Sequence, residues 1–97
     1  MRISDEIRAY IVELIRATRT AAGVLNGASP RASLALMKAS QVLALFDGLE
    51  FVTPDHIQEL ATPVIAHRLM LDPQARFSGV SAQGIVDEVL RQVPVPV

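Results

Sequence analysis

The dipeptides Ser29-Pro30 and Thr53-Pro54 constrain this chain more than any other feature, because each marks a helix start. A Ser or Thr hydroxyl suits the N-cap, where it can accept from a free first-turn N–H. Proline suits the next position, since its φ is already helical and the N–H it lacks would have had no partner there. The first start opens a helix that runs to about Phe46, with Gly48 as a suitable stop. That helix is apolar almost all round (Leu34, Leu36, Met37, Val42, Leu43, Leu45, Phe46), which predicts the central, most buried element. Its only charged residues, Arg31 and Lys38, lie seven apart and share one face. The second start opens a helix with the stripe Ile57, Leu60, Ala61, Val64 and Ile65. Pro63 interrupts it, and either kinks the helix or, with Thr62, caps a second short one.

Two further helices flank these. From about Asp5 to Arg19 a stripe of Ile7, Tyr10, Ile11, Leu14 and Ile15 follows Ser4 as N-cap. Asp5 and Glu6 in its first turn, and Arg16 and Arg19 in its last, suit the helix dipole. From Ser81 to about Val93 another stripe comprises Ile85, Val86, Val89, Leu90 and Val93, and Pro94-Val95-Pro96-Val97 ends it. Residues 21–28, with two glycines and an asparagine, read as a small-residue connection. Asp72-Pro73 reads as a turn, and the stretch from Gln74 to Val80 as a loop anchored by Phe77. The expected fold is all-α, a compact four- to five-helix bundle occupying residues 1–97 as one domain.

Charge and composition narrow the possible functions. Nine Lys and Arg against ten Asp and Glu leave a formal net charge of -1, without the basic footprint of a dedicated nucleic-acid binder. Arg2, Arg8, Arg16 and Arg19 are interleaved with Glu6 and Glu13, which predicts a solvated face with i,i+3 ion pairs. The absence of cysteine excludes disulfides and Cys-based zinc sites. His56 and His67, eleven apart and without a matching acidic cluster, do not predict a metal site. His56 reads as an exposed first-turn residue. No apolar run approaches the roughly 18 residues of a membrane span, and the N-terminus lacks the apolar core of a signal peptide, so a cytoplasmic location is expected.

The candidate chemistry lies in Gly27-Ala28-Ser29-Pro30-Arg31-Ala32. A capped helix start holds free N–H groups and a partial positive charge, which favour anions. Arg31, second inside that start, would present a planar fork suited to phosphate. A capped helix with a merely solvent-exposed arginine accounts for the same pattern. The chain contains no Gly-x-x-x-x-Gly-Lys-Ser/Thr phosphate loop, and Asp5-Glu6 read as first-turn residues rather than as a Mg²⁺-binding motif. By itself it is not expected to hydrolyse ATP.

The same hexapeptide resembles the second sensor motif of MoxR-family AAA+ ATPases. The stretch from Tyr10 to Arg19 is similar to that family's first lid helix. Ala44-Leu45-Phe46-Asp47-Gly48 followed by Phe51-Val52-Thr53-Pro54-Asp55-His56-Ile57 is similar to its next junction. Ala66-His67-Arg68-Leu69, and Gly79-Val80-Ser81 leading to Val93-Pro94, continue the resemblance in order along nearly the whole chain. It implies an AAA+ lid whose Arg31 reaches the γ-phosphate of ATP, held with Mg²⁺ on an ATPase core upstream of Met1. Ser29 and Pro30 would position Arg31 at that cofactor, and His67 and Arg68 would lie near the lid's interface. The implied partners are that core in cis, neighbouring subunits of a hexameric ring, and client or von Willebrand A-domain proteins in chaperone-like maturation of other complexes. No cofactor, nucleic acid or membrane is implied for the isolated domain. On the residues alone, a free-standing helical interaction module and a histone-like DNA-binding module remain open, since Val-Thr-Pro-Asp helix starts also occur in histone folds.

Overall fold

A computed structural model describes residues 3–96; Met1, Arg2 and Val97 lie outside it, and with Arg2 one member of the expected basic face. Five helices account for most of the chain: α1 (Asp5–Thr20), α2 (Pro30–Phe46), α3 (Pro54–Ile65), α4 (Pro73–Phe77) and α5 (Ala82–Gln92). Ala66–Arg68 add a 3-10 turn after α3. Two short strands, β1 (Val24–Asn26) and β2 (Met70–Leu71), pair antiparallel, with Val24 opposite Leu71 and Asn26 opposite Met70.

Three stripes converge on one core. α1 contributes Ile7, Tyr10, Ile11, Leu14 and Ile15; α3 contributes Ile57, Ala61 and Ile65; α5 contributes Ile85, Val86 and Val89. Each Ile, Leu or Val among them stabilises the fold by about 1.5–3 kcal/mol relative to exposure. The cap expected on α1 is present, Ser4 Oγ accepting from Ile7 N at 3.2 Å, and Ser81 caps α5 in the same way, its Oγ accepting from Gly84 N at 3.0 Å.

α2 departs from its expected central place. It buries only Ala32, Leu36, Ser40 and Ala44, one residue in four, against α1 and α3. Three of these four are small, which lets the helix axes approach closely. Ser40 keeps its hydroxyl satisfied by donating to the Leu36 carbonyl at 2.6 Å. In a domain this small α2 has neighbours on one side only, so Leu34, Val42, Leu45 and Phe46 stay exposed. Gly48 ends the helix with φ +74°, and Leu49 N donates to Ala44 O at 2.9 Å, satisfying a last-turn carbonyl.

α3 runs through Pro63 undivided to Ile65, so Thr62-Pro63 does not cap a second helix. The expected exposure of His56 is also corrected: it is buried, held between Thr53 and Asp47. The stretch after Asp72 is not all loop, because Asp72 Oδ1 accepts from Gln74 N at 3.1 Å and starts α4. Nor does Phe77 anchor it, being 95% exposed. The segment is tied down by backbone instead, Asp72 N donating to Gly23 O at 2.9 Å and Val80 N to Ala75 O at 3.0 Å.

Candidate functional site

Ser29, Pro30 and Arg31 form the mouth of α2. Ser29 has the extended backbone of an N-cap (φ −86°, ψ 169°), and its carbonyl accepts from Ala32 N at 2.9 Å. Its hydroxyl makes no capping bond, so no side chain seals the first turn. Pro30 occupies the first helical position. Arg31 is exposed and has no hydrogen-bond or ion-pair partner among the described residues. Its guanidinium is free to meet an anion brought from outside, and arginine's fork donates pairwise to phosphate oxygens.

At 100° per residue, Arg31, Leu34, Lys38, Val42 and Leu45 fall on the face of α2 opposite its buried stripe. Arg31 thus stands at the N-terminal end of an exposed, mainly apolar strip that Phe46 extends at the other end. Beside the mouth lies a shallow recess of about 320 Å³, lined by Val12, Ile15, Arg16 and Arg19 of α1 and by Pro30 and Ser33 of α2.

His67 and Arg68 sit elsewhere, on the 3-10 turn after α3. Both are exposed, and Arg68 Nε donates to Val64 O at 3.0 Å. No hydrogen bond or ion pair among the described residues joins them to the α2 mouth. On the outer face of α1, Arg16 pairs with Glu13 at 3.3 Å across an i,i+3 step, while Arg8 and Arg19 are exposed. Among the described residues no group of three or more His, Cys, Asp or Glu converges as metal ligands would, and no helix is long and apolar enough to cross a membrane.

Sequence reasoning gave no role of their own to Thr18, which reaches Ala28, or to Gly27, which lies against Arg19, where the end of α1 touches the segment before α2. Thr18 continues the α1 stripe as its one polar member, and that break in an apolar pattern was the available signal.

The model of the AAA lid domain matches residues 16–89. The chain belongs to the AAA lid domain family. It is 47% identical over 97 residues to the uncharacterized protein YeaC of Bacillus subtilis, covering all of this chain and 30% of that protein. It is 34% identical over 96 residues to Chaperone MoxR1 of Mycobacterium tuberculosis, covering 90% of this chain and 26% of that one. A crystal structure assigned as an ATPase of Cytophaga hutchinsonii superposes with a TM-score of 0.93 at 33% identity, over 98% of this chain and 32% of the other. The lid is that of a MoxR-type AAA+ ATPase, and it spans no more than about a third of the length of these relatives.

Proposed function

We propose that this lid senses the nucleotide held by an AAA+ core, with Arg31 as the group that meets the γ-phosphate. The observation that carries the reading is an unpaired guanidinium on the uncapped first turn of α2, at one end of an exposed apolar strip. The strip, Leu34, Val42, Leu45 and Phe46, supplies a surface by which the lid rests on the core. The arginine then projects from the edge of that contact toward the bound ATP. ATP and Mg²⁺ belong to the core; Ser29 and Pro30 position Arg31 at the nucleotide.

A charge-assisted hydrogen bond from Arg31 contributes about 1.5–3 kcal/mol. Arginines that meet the charge developing in phosphoryl transfer matter by roughly 10³–10⁵ in rate in the strongest cases. Loss of the γ-phosphate removes Arg31's partner, which frees the lid to turn against the core. Exposed His67 and Arg68 face a neighbouring subunit of a ring, taken as a hexamer. The chaperone role that names the relative MoxR1 extends to this protein as ATP-driven maturation of client complexes, von Willebrand A-domain proteins among them.

The test is ATP turnover of the full-length protein carrying Arg31→Ala. Turnover is expected to fall at least tenfold, about 1.4 kcal/mol of transition-state stabilisation. ADP affinity should hold, because ADP lacks the phosphate that Arg31 meets. Unchanged turnover would remove Arg31 from the nucleotide site. Salt-sensitive binding of duplex DNA, weakened by Arg16→Ala, would restore the nucleic-acid reading.

A further inference from the structure

An arginine can report on a phosphate only if the helix that bears it is held still. At the α2 mouth the usual device is unused, since the Ser29 hydroxyl makes no capping bond. The holding contacts lie just before it. Thr18, fully buried in the last turns of α1, donates its hydroxyl proton to Ile15 O at 2.6 Å. The hydroxyl oxygen then accepts from the backbone N–H of Ala28 at 3.0 Å, ten residues along the chain. Both polar atoms are out of water, and Ala28 itself is 1% exposed. An N–H buried in this way needs its acceptor, because unmade buried hydrogen bonds are expensive.

The adjacent residue is pinned by a different means. A Cβ on Gly27 would lie 2.8 Å from Arg19 N, Cα and Cγ. Two of those atoms are backbone and cannot step aside, so only glycine lets the segment lie this close to α1. One hydrogen bond and one close approach therefore fasten two consecutive residues to α1, and Arg31 follows three residues after the second of them.

We propose that Thr18 and Gly27 are positioning residues for Arg31, locking the start of α2 to the end of α1 so that the arginine is aimed before nucleotide arrives. This inference rests on the sensor reading of Arg31. Neither residue touches the nucleotide; both act through the placement of α2, where a displacement of about 1 Å is enough to matter.

The experiment is a double-mutant cycle in the full-length protein, reading ATP turnover, the ratio of ATP to ADP affinity, and the melting temperature. Thr18→Val keeps the shape and removes the hydroxyl; it is expected to lower turnover about three- to tenfold. The preference for ATP should fall with it while ADP affinity holds. Thr18→Ser, which restores the hydroxyl, should recover both. In an Arg31→Ala background Thr18→Val should cost nothing more, because the residue it aims is gone. If Thr18→Val does not fold, Gly27→Ala is taken through the same cycle. An equal further loss in the Arg31→Ala background would show that Thr18 serves stability alone and overturn the proposal, as would unchanged turnover and affinity ratio in Thr18→Val. If Arg31→Ala by itself changes nothing, the sensor reading falls and this inference with it. If Arg31→Ala acts and Thr18→Val does not, only the positioning role is lost.

Discussion

His56 joins two helix ends through both of its ring nitrogens. Nδ1 lies 3.0 Å from the Thr53 backbone N, which can only donate, so Nδ1 accepts and the ring proton sits on Nε2. Nε2 then donates to Asp47 Oδ2 at 3.0 Å. One side chain thereby completes the capping box of α3 and ties it to the residue that ends α2. His56→Ala leaves the Thr53 N–H without its acceptor and opens a small hole, so the domain should lose about 2–3 kcal/mol. In a thermal melt that is a drop of roughly 10 °C or more for a domain of this size. His56→Gln retains a side-chain acceptor at the third helical position and should recover part of the loss. A His56→Ala melt within a degree or two of wild type would show that the linkage contributes nothing. The same logic of a buried polar atom with one obligatory partner makes Thr18 informative, whereas the exposed pairs Arg16–Glu13 and Arg91–Glu88 stabilise by well under about 1 kcal/mol each.

At the scale of elements, α2 has two faces of different worth made from the same residue types. Leu36 is fully buried against the other helices, while Leu45 on the far side is 68% exposed. Leu36→Ala should therefore cost about 2–5 kcal/mol, and Leu45→Ala less than about 0.5 kcal/mol, in chemical denaturation of this domain. Equal losses would mean that the exposed strip is folded over in solution. The outward strip is also why periodicity misplaced this helix. An all-round apolar pattern says that both faces avoid water, but not whether the second is covered by the domain's own chain. His56 was misjudged for a related reason: first-turn position favours exposure, but the carboxylate that its Nε2 reaches, Asp47, lies at the end of another helix.

Over the whole molecule, α1, α3 and α5 share one core, in which Ile11 is fully buried together with Leu14, Ile57 and Ile65. A small domain typically has only about 5–15 kcal/mol of net stability, so one deep cavity takes a large share of it. Ile11→Ala should lower the melting temperature in a single transition, with amides of α5 losing hydrogen-exchange protection together with those of α1. Loss confined to α1 would show that the helices do not unfold as one unit. The paired strands β1 and β2 join parts of the chain more than forty residues apart, and Asp72 N reaches Gly23 O at the same seam.

The sequence by itself determined α1, α2, α3 and α5, though not α4, together with the cap of α1 and the stop at Gly48, because these depend on neighbours a few residues away, and its motifs taken in order along the chain pointed to the family. Periodicity, a hydroxyl before a helix and a proline at its first position are all local facts. It also brought Ser29, Pro30 and Arg31 together, since they are consecutive. Tertiary structure alone decided which face of α2 is covered, that His56 is buried, that Phe77 anchors nothing and that two strands pair. It alone brought Thr18 to Ala28 and Gly27 against Arg19. Each of those depends on which distant segment fills the space beside a residue, and a local pattern carries no record of that.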